Sequence, residues 1–173
     1  MIFVDPLRHP LFIKFIAYFN ENQDYFECHE VLEDYWNLVA PRDRAHPLVG
    51  YIQSAVALYH WRRGNFRGAA KLFPKAERLL RLTFEDGSPF SDGVDLPAFL
   101  RNIRKAADAV EDGLPFVAFP IRVTDSAIRD AVSELVQNGA IPDLTGARLI
   151  HKHMLRDRGH ILSGNEKRRS SRH

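Results

Sequence analysis

Between Pro10 and Gly139 the chain is punctuated at helical intervals, and this punctuation limits its fold more than any other feature. Pro10 opens the apolar run Leu11-Phe12-Ile13 and Phe15-Ile16, as suits a first helical turn. Asp24 stands three residues before Glu27, an Asp form of the capping box, and predicts a helix over residues 25–39. Pro41 and the charged residues 42–44 then make a turn. His46-Pro47 begins a third helix reaching Arg63, with Gly64 as its C-terminal cap. Asn65 caps a fourth over about 66–83, and Pro74 should kink or break it, because proline removes a backbone donor and crowds the preceding turn. Asp95 caps a fifth, whose stripe Leu96, Phe99, Leu100, Ile103, Ala107 and Val110 has a 3.6-residue period. Thr124 or Asp125 opens a sixth ending at Gly139, and Thr145 opens a last one to about Arg158.

Residues 114–123 break this pattern. Two prolines among Phe and Val residues read as an extended strap lying on the bundle, with no convincing second strand to pair with. Gly50, Ala55, Ala57, Gly68, Ala69 and Ala70 fall on helices three and four, where small residues allow a close antiparallel hairpin. The fold class expected is all-α: an irregular helical bundle of about five to seven helices with an extended Pro/Phe-containing strap and a basic C-terminal tail. Residues 1–146 form a single helical domain in this reading, and 147–173 a basic helix and tail.

At 173 residues the chain can bury a sizeable core. Its longest apolar stretch, residues 47–61, is interrupted by Gln53, Ser54 and His60, too short and too polar for a bilayer. The N-terminus lacks a small-residue cleavage site, so no secretory signal is expected, and the single cysteine, Cys28, allows no intrachain disulfide. A cytoplasmic setting follows as the expectation. Residues 147–173 hold eight Lys and Arg against two Asp and Glu, in a chain whose net charge is +2, so the remainder is net acidic. Such a tail could contact nucleic acid, but it lacks aromatic residues at its end, and a solvated terminus is the favoured reading.

The chemistry concentrates on helix two. At about 100° per residue, His29, Glu33 and Trp36 share one face. His and Glu four apart can hold one divalent ion or bond to each other. Glu30 is rotated away and could sit at the margin as a general base. Glu33 stands where a His-Glu-x-x-His protease site needs its second His, so that enzyme class is not supported. If helices two and three pack antiparallel, His60 faces His29. His29, Glu33 and His60 would then offer two nitrogens and a carboxylate, a set suited to Zn, Mn or Fe(II), with Gln53 and Trp36 in support. The plainer alternative is a buried His–Glu pair under a Trp lid, a polar lock in the core.

The string Tyr25-Phe26-Glu27-Cys28-His29-Glu30-Val31-Leu32-Glu33-Asp34-Tyr35-Trp36 resembles the signature of the bacterial and archaeal family numbered 309 among domains of unknown function, with the pattern H-x-x-x-E-x-x-W. A second block, Gly50-Tyr51-Ile52-Gln53, residues 55–60, Gly64-Asn65 and Gly68-Ala69, resembles it too. The resembling core spans about 12–123. The resemblance implies an all-helical fold and a motif with metal binding as its candidate role, without an established activity. Two functions follow as expectations. One is a divalent-metal protein, with a metal-dependent hydrolase as its candidate activity. The other is a non-enzymatic interaction module, a homodimer by expectation, in which His29, Glu33 and Trp36 lock the core.

Overall fold

The computed structural model describes residues 5–141. The basic tail, the helix expected from Thr145 and the boundary expected at residue 146 lie outside the described residues. Six α-helices are described: α1 (Pro10–Ala17), α2 (Tyr25–Val39), α3 (Pro47–Arg62), α4 (Phe66–Glu85), α5 (Leu96–Glu111) and α6 (Ser126–Gln137). The architecture is an all-α irregular bundle, as the punctuation predicts.

The caps are where the sequence places them. Asp24 accepts the Glu27 N–H at 3.1 Å, Asn65 that of Gly68 at 3.0 Å, Asp95 that of Ala98 at 3.0 Å and Asp125 that of Ala127 at 2.8 Å. Each satisfies an amide that the helix itself leaves unpaired. His46 does the same at the start of α3, its Nδ1 accepting the Leu48 N–H at 3.1 Å.

Of the kink or break expected at Pro74, the break does not occur: α4 runs through Pro74 as one helix. The carbonyl that Pro74 leaves unpaired belongs to exposed Ala70, where water can satisfy it. Among the described residues the strap meets no second strand, as expected, and Val123 forms only an isolated antiparallel bridge with Val94. Arg122 accepts the Asp95 N–H at 2.8 Å, and the Asn20 side chain pairs with both backbone groups of Ile121, at 2.8 and 2.9 Å. Asn20 lies in a π-helical turn, Tyr18–Asn22, that continues α1.

Aromatic rings fill the centre. Phe12, Phe15, Phe19, Tyr51 and Phe99 are at most 1% exposed, and their centroids stand 5.1 to 6.4 Å from one another along the cluster. The Tyr51 hydroxyl donates to the Phe90 carbonyl at 2.7 Å, so this phenol enters the core without an unpaired group. Helices α3 and α4 form the close hairpin. A Cβ on Gly50 would lie 2.9 Å from Leu80 and 3.1 Å from Leu79, so only glycine admits that approach. Gly64, at φ +84°, turns the chain between the two helices.

Candidate functional site

Helices α2 and α3 run antiparallel. At one end the Arg62 guanidinium lies 4.7 Å above the Tyr25 ring, and Phe26 meets Tyr59 at 6.0 Å. At the other, the Trp36 indole N–H donates to the Asp43 carbonyl at 2.9 Å, tying α2 to the turn that leads into α3. Near the Tyr25–Arg62 end the two helices leave a cleft of about 170 Å³, lined by Tyr25, Phe26, His29, Val56, Tyr59 and His60. Both candidate histidines therefore line one cleft, one from each helix.

On the α2 side, Glu33 Oε2 stands 3.2 Å from His29 Nε2, and Glu30 Oε1 stands 3.6 Å from His29 Nδ1. The His29 and Glu33 side chains are 29% and 45% exposed. The buried lock under a Trp lid is thus corrected: the pair meets solvent, and the Trp36 indole N–H is committed to the Asp43 carbonyl. An exposed i,i+4 pair of this kind stabilises a helix by only about 0.3–0.5 kcal/mol.

On the α3 side, His60 is held by Asn65. The Asn65 Oδ1 accepts the Gly68 N–H, which turns its Nδ2 toward His60 Nδ1 at 3.1 Å. An amide N–H can only donate, so Nδ1 is the accepting nitrogen and the ring proton resides on Nε2. Gly68 is part of this arrangement. A Cβ there would come within 2.7 Å of Asn65 Nδ2 and 3.0 Å of His60 Cγ. Neither Asn65 nor Gly68 stands out in the sequence as a site residue. The Asn-x-x-Gly pattern announces a helix cap, and a cap gives no sign that its second amide atom will hold an imidazole across the turn.

Gln53 lies on the same stripe of α3 as Val56 and His60. Its Oε1 is buried with no hydrogen-bond partner among the described residues, as is the Tyr25 hydroxyl. Burial pushes the Tyr25 phenol far above its ordinary range, so it stays a neutral donor. Cys28 is fully buried, its Sγ 3.7 Å from the Phe15 carbonyl, and burial likewise pushes its thiol well up. It is a core residue, not a nucleophile. Among the described residues no three His, Cys, Asp or Glu side chains converge as a metal cage.

Comparison with known proteins adds the family. The sequence profile described as Domain of unknown function (DUF309) matches residues 12–72. YpuF, an uncharacterized protein of Bacillus subtilis (strain 168), is 32% identical over 161 residues, which cover 90% of this chain and 91% of YpuF. The chain belongs to the DUF309 family. The DUF309 match runs from α1 into the first turns of α4, so it contains His29, Glu33, Trp36, Gln53, His60, Asn65 and Gly68. Helix α5, the strap and α6 lie outside it. No solved structure matches the chain. No described helix is long and apolar enough to cross a membrane.

Proposed function

We propose that the α2–α3 cleft is the functional site of this DUF309 protein and that it binds a divalent metal ion through His29 and Glu33. The observation that carries this reading is the 3.2 Å separation of His29 Nε2 and Glu33 Oε2 at the mouth of a cleft. Nitrogen and oxygen donors about 2.1 Å from one ion at tetrahedral or octahedral angles stand roughly 3.0–3.4 Å apart. These two donors fit an ion with little motion. Among the described residues no three donors are gathered, and His60 has another task in this reading because Asn65 Nδ2 faces its Nδ1 at 3.1 Å. Two protein donors leave the other positions to solvent or a ligand, an arrangement suited to Mn or Fe(II) as well as Zn. The Tyr25 hydroxyl and Gln53 carbonyl, on the helices that flank the cleft and without hydrogen-bond partners among the described residues, further support a site built for something other than stability.

In this reading His60 donates its Nε2–H to an anionic group of the ligand, and Asn65 fixes the tautomer that allows it. Glu30, 43% exposed and beside His29, can accept a proton at the margin. A divalent ion here would act as a Lewis acid, and hydrolysis is the reaction class that such a set serves. The ring-lined wall of Tyr25, Phe26 and Tyr59 would bind the apolar part of a substrate.

The test is a thermal-shift titration of protein carrying no polyhistidine tag with Zn, Mn and Fe(II). At least one ion should raise the melting temperature, with the rise lost in His29→Ala and in Glu33→Gln. No rise with any of the three, under conditions where His29→Ala and the parent melt alike, sinks the metal reading.

A further inference from the structure

A second cavity, of about 360 Å³, lies outside the region of the family match, between the strap and α5, with Trp61 in its wall. Ala106 and Ala109 of α5 face Leu114, Val117 and Phe119 of the strap across it. Its walls are apolar, and Leu114 and Val117 remain 50% and 67% exposed, an exposure that costs hydration free energy without a partner. The volume lies within the range of small-molecule clefts.

The polar groups of this cavity are few and sit together. Lys105 is the single charged residue lining it, with Asn102 three positions earlier on the same helix. Among the described residues Lys105 has no ion pair. The acidic residues of α5 that follow it, Asp108 and Glu111, line a different cavity together with Glu77. The negative charge of this helix therefore faces away and leaves Lys105 uncompensated. The strap is tied to the bundle where Leu114 accepts the Trp61 indole N–H at 2.9 Å and where Ile121 pairs with Asn20. Among the described residues no backbone–backbone hydrogen bond holds residues 115–120.

We propose that this cavity binds a medium-chain monocarboxylate. The alkyl chain lies between Ala106–Ala109 and Leu114–Val117 and reaches Trp61, and the carboxylate pairs with Lys105 and accepts from the Asn102 amide. Lysine suits the rim because its alkyl stem covers apolar wall while its ammonium stays in water. This site is separate from the α2–α3 cleft and does not depend on the metal proposal.

The chain has two tryptophans, and their indole N–H signals report on opposite regions of the molecule. Octanoate, kept below its micellar range, should shift the Trp61 indole signal saturably and leave that of Trp36 in place. Affinity should rise about two- to fourfold per methylene from butanoate to octanoate as apolar surface is buried. Lys105→Glu, at an exposed position, should weaken octanoate about fivefold or more and leave octanol unchanged. Ala109→Phe should fill the cavity and abolish the Trp61 shift while the helical circular dichroism is retained. The proposal is overturned if the Trp61 signal does not shift saturably, if both indoles move together, or if Lys105→Glu binds octanoate as tightly as the parent.

Discussion

Asn65 Nδ2 stands 3.1 Å from His60 Nδ1, and the same side chain caps α4 through Oδ1. One residue thus starts a helix and sets the tautomer of a histidine in the cleft. Asn65→Asp separates the two tasks. Aspartate caps a helix as well as asparagine does, so stability should change by no more than about 0.5 kcal/mol. A carboxylate, however, accepts where the amide donates. The ring proton of His60 should move to Nδ1 and bare the Nε2 lone pair, giving a carboxylate–histidine arrangement of the kind that supports metal ligands. Nitrogen chemical shifts of the ring should report the exchange, and divalent-ion affinity should rise about tenfold. An unchanged tautomer in the variant would contradict the assignment made for the parent.

Gly68→Ala attacks the same arrangement sterically. The new Cβ would sit 2.7 Å from Asn65 Nδ2, so Asn65 must move and both its bonds weaken. Alanine gains about 1 kcal/mol over glycine inside a helix, while the displaced cap and the crowding cost about 2–3 kcal/mol. Chemical denaturation should show a net loss of about 1–2 kcal/mol. A variant at least as stable as the parent would mean that the contact relaxes freely.

His29→Ala separates a functional site from a structural one. The pair it breaks is partly exposed, so the fold should lose no more than about 0.5 kcal/mol. A loss of about 2 kcal/mol or more in urea unfolding would restore the reading of a polar lock.

His46 provides a pH dependence with a definite sign. Burial lowers its pKa below the ordinary 6.5, with Asp43 opposing. Its Nδ1 accepts the Leu48 N–H and edge contact with Phe90 covers the ring, so protonation would sacrifice the cap. The folded state therefore binds its proton less readily than the unfolded chain. This contribution is fully present above about pH 6.5 and is lost as pH falls through 6.5 toward the folded-state value. His46→Asn keeps a capping side chain and removes the titration. The stability difference between parent and variant should shift against the parent between about pH 7 and pH 5. A difference independent of pH would show that His46 does not titrate in this window.

Much of the bundle was legible because it is written in local chemistry. Asp24, Asn65 and Asp95 announce helix starts, and Gly64 and Gly139 announce ends, through groups that act within a few residues. The pairing of His29 with Glu33 was legible for the same reason, since both lie on one helix. What failed was tertiary. Pro74 offered a kink or a break because its loss of a hydrogen bond is local, whereas the exposure that lets water compensate, and so keeps α4 unbroken, is set by how α4 packs. The contacts that hold the far end of the strap were not legible, because Asn20 and Val94 are distant in sequence. His60 looked like a third nitrogen ligand because spacing brings it to the cleft, but the atom that decides its tautomer belongs to the cap of the next helix. Trp36 shared a helix face with His29, yet its N–H is engaged by the turn beyond α2.

The central claim is that His29 and Glu33 form the cation-binding centre of the α2–α3 cleft. The most direct measurement is a Mn(II) titration of nitrogen-15-labelled, tag-free protein, read by paramagnetic broadening of backbone amides. Broadening should centre on residues 29–33 and reach residues 56–60 across the cleft, and Glu33→Gln should remove it. No localised broadening, or broadening centred instead on Asp108 and Glu111 of α5, would contradict the account.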